Sequence, residues 1–441
     1  LFLVGLVAVF TAGCGDEVGS SLTGPVSPQR MDTDTGVRAG EPVPGQYIVV
    51  LRRDAPLEDV LSASRVTRLL HTYRHALNGF AAVLTDEEVS ALRAHPAVAY
   101  IEQDQIVTAS GRLEFQPAVP IDGSGNGNGK GGGKPGGGGT TQPAQVLPTG
   151  VNRVDADLSA TAKINGADEA VDADIAVIDT GIDLKHPDLR VVNNKTFVPG
   201  TKNGNDDNGH GSHVAGTAAA IDNGIGVVGV APGARLWAVK VLDRKGSGFL
   251  SAVIAGVDYV TANAAQVDVA NMSLSGGNSQ ALNDAIKASS DAGVVYVAAA
   301  GNRAADAGDS SPANSPDALT VSAIADSDGA CGGKGVPTNY GADDTFATFS
   351  NYGSVVDIAA PGVDILSTYK GGAYAIGSGT SMAAPHVAGI AALYIAVNGR
   401  SSGAAAIRDA VVSAASPQSG SCGFSGDPDS YAEPAANAAS F

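Results

Sequence analysis

Cysteine is almost missing from this 441-residue chain: Cys14, Cys331 and Cys422 are all it has. Three thiols so widely spaced exclude a disulfide-dense scaffold and a cysteine-built zinc site. Basic residues are scarce as well, 27 against 45 acidic ones, for a formal net charge of −18. A surface of that sign repels phosphate backbones, so general nucleic-acid binding is excluded, and the charge reads as solubility outside the cell. Long apolar runs are lacking after the first thirteen residues, so no later stretch is expected to span a bilayer. Residues 1–13 are too short to span one and read as the apolar part of a signal peptide.

What is abundant is glycine, 58 residues, and its distribution divides the chain. After the leader (1–14), residues 15–44 mix Ser, Thr, Gly, Pro and charges without periodicity and read as a flexible tether. Thr11-Ala12-Gly13-Cys14 resembles a bacterial lipoprotein cleavage box with Cys14 as the lipidated residue; Thr11 stands where an aliphatic residue is usual, so simple secretion is the other reading. Residues 45–107 form a small α+β unit. Strands are expected at 46–51, 77–84 and 98–104, a helix at 57–73, and a second helix opened by the capping box Thr85-Asp86-Glu87-Glu88. Residues 108–143 hold a linker with eleven glycines among positions 123–139. Lys130 and Lys134 follow glycine, but neither is followed by a hydroxyl residue, so a phosphate-binding loop is rejected.

From residue 144 to 441 short apolar runs (173–178, 235–242, 267–273, 293–299, 319–324, 355–359) alternate with helix-like segments (213–221, 251–264, 281–292, 381–397). That alternation implies an α/β fold, a mostly parallel sheet with helices on both faces, whose ligands bind at the carboxyl ends of the strands. Three glycine-flanked motifs lie at such ends. Val177-Ile178-Asp179-Thr180-Gly181 closes a buried strand on a carboxylate. Asn208-Gly209-His210-Gly211-Ser212-His213-Val214 opens a small-residue helix, and Gly377-Ser378-Gly379-Thr380-Ser381-Met382-Ala383 opens another on a serine. A serine at a helix start is commonly only an N-cap. Together, Asp, His and Ser in this order resemble the subtilisin-like serine peptidases, the order being the handed-down pattern of that family.

The resemblance implies a subtilisin-like three-layer fold, closest to the proteinase K branch, and a serine endopeptidase acting through an acyl-enzyme. Ser381 is expected as the nucleophile, His213 as its base and Asp179 as the group that orients the base, with His210 and His386 as bystanders that buttress or pack. It makes Asn302, closing Val297-Ala298-Ala299-Ala300-Gly301-Asn302, an oxyanion donor. Gly246-Ser247-Gly248 and Ser273-Leu274-Ser275-Gly276 match segments that sandwich an extended peptide. Ala299, Ala300 and Gly301 leave room for a large apolar or aromatic residue before the cut. The first small unit resembles the inhibitory I9 propeptide, a ferredoxin-like domain that chaperones and caps its own catalytic domain, with cleavage expected near 108–110 or anywhere up to 144. Structural calcium is implied at Gln145, Asp188 and Asn223 with the carbonyls of Ile221, Ile225 and Val227. A weaker second site is implied at Asp357 with the carbonyls of Pro316 and Ala318. With Cys14 lipidated or removed, Cys331 and Cys422 remain as a candidate disulfide. The expected partners are protein and peptide substrates and the chain's own propeptide, with the enzyme a monomer. It is secreted, or held at the cell envelope if Cys14 carries lipid.

Two rival readings make different demands on the sequence. A catalytically silent subtilase fold acting as a binding protein would not need the full set of Asp, His, Ser and Asn residues. An α/β-hydrolase esterase needs a G-x-S-x-G elbow and the order Ser…Asp…His; Gly379-Thr380-Ser381-Met382-Ala383 lacks the closing glycine. The insertion-like stretch 325–347 carries no functional expectation.

Overall fold

The computed structural model describes residues 38–64, 66, 68–110, 116–117 and 142–441. The expected leader, Cys14, most of the tether and the glycine tract lie outside them.

The first unit runs β1 (Pro42–Leu51), α1 (Leu57–Ala63), β2 (Arg68–Tyr73), β3 (Gly79–Val83), α2 (Asp86–Ala94) and β4 (Val98–Ala109). Its antiparallel sheet has the order β4-β1-β3-β2. The helix expected over 57–73 stops at Ala63. Residues Arg68–Tyr73 instead pair with β3, Thr72 opposite Phe80 and Tyr73 opposite Gly79, because strand pairing overrides a merely permissive helical spacing. The capping box forms: Glu88 N donates to Thr85 Oγ1 at 3.2 Å and Thr85 N to Glu88 Oε2 at 2.7 Å. One face of the sheet packs Val49, Leu51 and Phe80 on Leu57, Val60, Val89 and Leu92 of the helices. The other face, Ile48, Val50, Tyr73 and Ala81, has no core of its own and packs against residues of the larger unit. The strand expected to end at residue 104 continues to Ala109, since its last residues pair with that unit.

After β5 (Gln116–Pro117) and α3 (Thr149–Arg153) come β6 (Asp174–Asp179), β7 (Val191–Thr196), α4 (His210–Ala219), β8 (Arg235–Lys240), β9 (Ser247–Phe249) and α5 (Leu250–Ala262). Next are β10 (Val269–Met272), β11 (Leu274–Ser275), α6 (Gln280–Asp291), β12 (Val295–Ala299), β13 (Ala318–Ala325), β14 (Thr345–Phe346) and β15 (Ile358–Pro361). The chain ends with the hairpin β16 (Ile365–Tyr369) and β17 (Ala373–Gly377), then α7 (Thr380–Asn398) and α8 (Ala404–Ala414). The main sheet is ordered β14-β13-β12-β10-β6-β8-β7, with β15 also on β13, and every pairing in it but β13–β14 is parallel. Residues of β6 alternate between the two faces: Ile175 and Val177 meet the core of α4 and α7, Ala176 and Ile178 that of α5 and α6. Burial on both faces is what makes such strands read as unbroken apolar runs. β7 and the β16–β17 hairpin are too polar or too short to stand out in the sequence.

Helix α7 is, among the described helices, the one long and apolar enough to cross a membrane, contrary to the expectation of none; 83% of that window is buried inside the protein, so it is a core helix. It tolerates Pro385 at its sixth position. Proline lacks the N–H that the carbonyl four residues back requires. That carbonyl belongs to Ser381, and Ser273 Oγ donates to it instead at 3.0 Å.

Cys331 and Cys422 are joined, closing a 91-residue span. Such a crosslink removes chain entropy from the unfolded state amounting to roughly 4–5 kcal/mol in the loop-closure account. Buried Arg153 sits beside it, 2.7 Å from Asp344 Oδ1 and donating to the carbonyls of Cys422 and Gly423. The stretch 325–347 is therefore a structural clasp for the carboxyl-terminal tail, whose Ala435 bridges to Ala359.

Candidate active site

Asp179 ends β6 at the carboxyl edge of the sheet and is fully buried. Its main-chain carbonyl is fixed by Val241 N at 2.8 Å and Leu242 N at 3.1 Å. Its carboxylate receives the ring of His210: Nδ1 lies 2.7 Å from Oδ1 and 2.9 Å from Oδ2. This corrects the expectation for His213. That ring is one turn further along α4 and faces the hairpin, its Nε2 3.0 Å from Ile365 O and 3.1 Å from Ala375 O. Burial first, then the neighbouring His210, pushes its pKa down to about 3. It is a neutral core histidine.

The reason lies at the helix start. Gly209 turns the chain at φ +117°, and Gly211 lies so close to Gly181 O that a Cβ there would sit 2.1 Å from it. The first turn of α4 is thereby pressed onto the Asp179 strand end. Asp206 pins it there: Oδ1 accepts from Asn208 N, Gly209 N and Thr180 Oγ1, and Oδ2 from Ser212 N and Oγ. Thr180 Oγ1 in turn accepts from Gly211 N at 2.9 Å. Asp206 was not singled out from the sequence; its position just before a glycine-flanked helix start is the one available signal. His386 also fits its bystander role, its Nδ1 2.8 Å from Met382 O.

Ser381 opens α7 behind Gly379, whose φ is +155°. Its Oγ is 3.3 Å from Ser110 O and 3.2 Å from Ser273 O. Asn302 Nδ2 donates to the same Ser110 carbonyl at 2.6 Å. The amide cannot turn over, because Asn302 Oδ1 is taken by Thr380 N and Thr380 Oγ1, both at 2.8 Å. Ser110 is thus the residue that the chain itself places against the serine. The approach to it is an added strand. Thr108 pairs with Ser247 on one side and Ser275 on the other, Ala109 with Leu274, and Val107 with Gly248. Ala109 N donates to Gly246 O at 2.8 Å and Ser110 N to Ser273 O at 3.2 Å. The segments 246–248 and 273–276 flank the end of β4 from its two sides. Val107 is fully buried beside Gly276, and Ser110, the residue against Ser381, is buried as well.

Carboxylates hold the two units together. Asp104 accepts from Ser251 N and Oγ at the start of α5, and Glu102 from Ala281 N at the start of α6. In the other direction Asp258 accepts the consecutive amides of Arg74, His75 and Ala76. Anions at helix starts meet unpaired N–H groups and the positive dipole end.

The residues named for the first calcium gather around the 221–227 loop, with Gln145 and Asp188 brought to it from two other segments. Ala144 and Val146 bridge to Ile225 and Val227. Gln145 Oε1 accepts from Asn223 N at 2.9 Å and Gly224 N at 2.8 Å, and its Nε2 contacts Asp222. Asp188 is fully buried; Oδ2 accepts from Val227 N and Tyr374 OH, while Oδ1 has no hydrogen-bond donor. Burial raises this carboxyl to about 7. A desolvated carboxylate with an orphaned oxygen among neutral oxygens fits a hard cation. The second set does not fit. Pro316 O accepts from Arg408 Nη1 at 2.9 Å and Asp357 Oδ2 from Thr320 N at 2.8 Å. A guanidinium from α8 already supplies positive charge there, which corrects the expectation for Pro316, Ala318 and Asp357. Asp326, Asp328 and Asp343 offer oxygens within 4.8 Å of one another, a grouping not foreseen. Asp326 and Asp343 are engaged by loop amides, Gly329 N on the first and Ser327 N and Gly335 N on the second.

Comparison with known proteins places the chain in a family. The subtilase family model matches residues 170–437 and the peptidase inhibitor I9 model residues 46–110. An alkaline serine protease, ver112, of Corniculantispora psalliotae is 35% identical over 87% of this chain and 89% of its own length. The cuticle-degrading protease of Metarhizium anisopliae is 36% identical over 82% of each, and subtilisin E of Bacillus subtilis 38% identical over 72% and 71%. The crystal structure of a cold adapted subtilisin-like serine proteinase superposes with a TM-score of 0.51 at 34% identity, covering 64% of this chain and 97% of that one. The chain therefore belongs to the subtilase family and is a serine endopeptidase preceded by an I9 inhibitor domain.

Proposed function

We propose that the protein is an exported endopeptidase, made as a precursor that cuts itself between Ser110 and Gly111 and is then held by its own inhibitor domain. One observation carries the reading: the Ser110 carbonyl oxygen lies between Asn302 Nδ2 (2.6 Å) and Ser381 Oγ (3.3 Å). Ser381 Oγ attacks the Ser110 carbonyl carbon as its proton passes to His210. Asp179 fixes the tautomer and stabilises the imidazolium. Asn302 Nδ2–H holds the oxyanion, a donor worth about 10²–10³ in turnover. The C–N bond to Gly111 then breaks, His210 returning the proton to the departing amine. Water, deprotonated by the same imidazole, releases Ser110 from the ester. His210 replaces His213 in this scheme because its Nδ1 lies 2.7 Å from Asp179 Oδ1, while the His213 ring Nε2 faces the carbonyls of Ile365 and Ala375.

The released inhibitor domain, ending at Ser110, stays in the groove as a product. Other substrates are protein segments able to add a strand between β9 and β11, with a small residue before the cut and an aliphatic one three positions earlier, as Ser110 and Val107 are. Gln145, Asp188, Asn223 and the carbonyls of Ile221, Ile225 and Val227 would hold calcium, which would supply fold stability by mass action. The apolar leader and the charge of −18 support export and secretion as a monomer.

The test is expression of the chain beside Ser381→Ala, with casein and a serine-directed inhibitor. The unaltered chain is expected to yield a new amino terminus at Gly111 and to digest casein, both blocked by the inhibitor. Ser381→Ala should remain at precursor length. Equal length and no digestion in both would favour a binding protein on this fold.

A further inference from the structure

The β16–β17 hairpin runs straight into the nucleophile: Gly377 closes β17 and Ser381 follows four residues later. The outer edge of β17 is occupied. Gln116 is the antiparallel partner of Ile376 and Pro117 that of Ala375. These residues stand six and seven positions beyond Ser110, on the side of the chain that leaves with the amine. Six extended residues reach on the order of 20 Å. That suffices to follow the end of β17 away from Ser381. The same hairpin meets the chain again at its turn, where Gln142 Nε2 is 3.5 Å from Gly372 O.

A strand edge presents main-chain N–H and C=O groups at fixed spacing and takes an extended partner with little regard for its side chains. We infer that the β17 edge is a docking strand for the leaving side of polypeptide substrates, engaging the sixth and seventh residues after the cut. The inference rests on the Ser110–Gly111 bond being the one cleaved. It carries a rule of its own. Pro117 has no N–H, so the donor that the segment offers to β17 is the amide of Gln116. Proline is accepted at the seventh position and rejected at the sixth. The ligand is thus an unfolded stretch reaching at least seven residues past the cut, which favours open protein segments over short peptides.

Three fluorogenic peptides test this: one reproducing residues 104–113, one residues 104–120, and one of the longer length with N-methylglutamine at the Gln116 position. They are assayed on the processed wild-type chain and on Gln116→Pro, whose own segment cannot compete for the edge. On Gln116→Pro the longer peptide is expected to exceed the shorter in kcat/KM by roughly 3–30-fold through KM, as one or two main-chain hydrogen bonds would give. N-methylation should return it to the short-peptide value. Equal kcat/KM for long and short peptides, both cut after the serine, would overturn the docking strand while leaving the protease reading intact. A gain that survives N-methylation also overturns it, since the contact would then not run through the edge. No cleavage of any peptide would instead overturn the endopeptidase reading.

Discussion

The inhibitor unit and the catalytic unit bury their surfaces differently. The catalytic sheet is covered on both faces by its own helices, with cores around α4 and α7 and around α5 and α6. The inhibitor sheet is covered on one face only; Ile48, Val50 and Tyr73 complete their packing against the catalytic unit. A unit of some 70 residues with half its core on loan is marginal alone. Its fold and its affinity are therefore one quantity, and the catalytic unit decides both.

The largest effect tests which side acts on the other. His210→Ala should slow self-cleavage by about 10³–10⁶, as loss of a triad member does, leaving the two units joined. His213→Gln, which keeps a donor for Ile365 O and Ala375 O, should change turnover less than about tenfold. Band positions over a time course distinguish the two. Asn302→Ala should follow, with turnover down by about 10²–10³ and the inhibitor domain bound nearly as before. Next, Asp258→Ala strips the acceptor from three inhibitor amides. Inhibition by the separate domain should weaken by roughly 10–100-fold, since hydrogen bonds to a charged group are worth about 1.5–3 kcal/mol. If the isolated domain, residues 38–110, shows a cooperative melt of its own at 25 °C and binds unchanged to Asp258→Ala, the borrowed-core comparison fails.

Smaller effects separate the units by their titrating groups. Burial lowers His213 to about 3 and His386 to about 4 inside the catalytic core. A folded pKa below the unfolded 6.5 means the neutral form is favoured by folding. Its contribution is complete above pH 6.5 and is lost as pH falls toward 4 and 3. The melting temperature of Ser381→Ala should accordingly drop over that window. The smallest shift is calcium's. The same uncut variant should melt a few degrees higher with excess calcium and lower with chelator, and Asp188→Asn should remove most of the difference.

Much of this was legible from local pattern. Asp179 closes β6 and Ser381 opens α7 near glycine, Asn302 follows Gly301 just past β12, and glycine at such places reports a backbone that must approach something closely. The histidines were not separable that way. His210 and His213 share one helix three residues apart, and only the packing of Gly211 on Gly181 decides which ring meets the carboxylate. Arg408 takes the second metal position from a helix far along the chain, beyond the reach of any local motif. The spacing of 57–73 predicts helix through β2, whose partner β3, not its own pattern, selects the strand.

The bridges from Ala144 and Val146 to the 225–227 loop exist while Ser110 still sits against Ser381. In the proposed self-cleavage, the amino end of the catalytic unit is therefore docked on that loop before the bond after Ser110 is cut. On that proposal, the berth of residues 144–146 need not be made after the cut, and the delay before an open groove would be set by departure of the inhibitor.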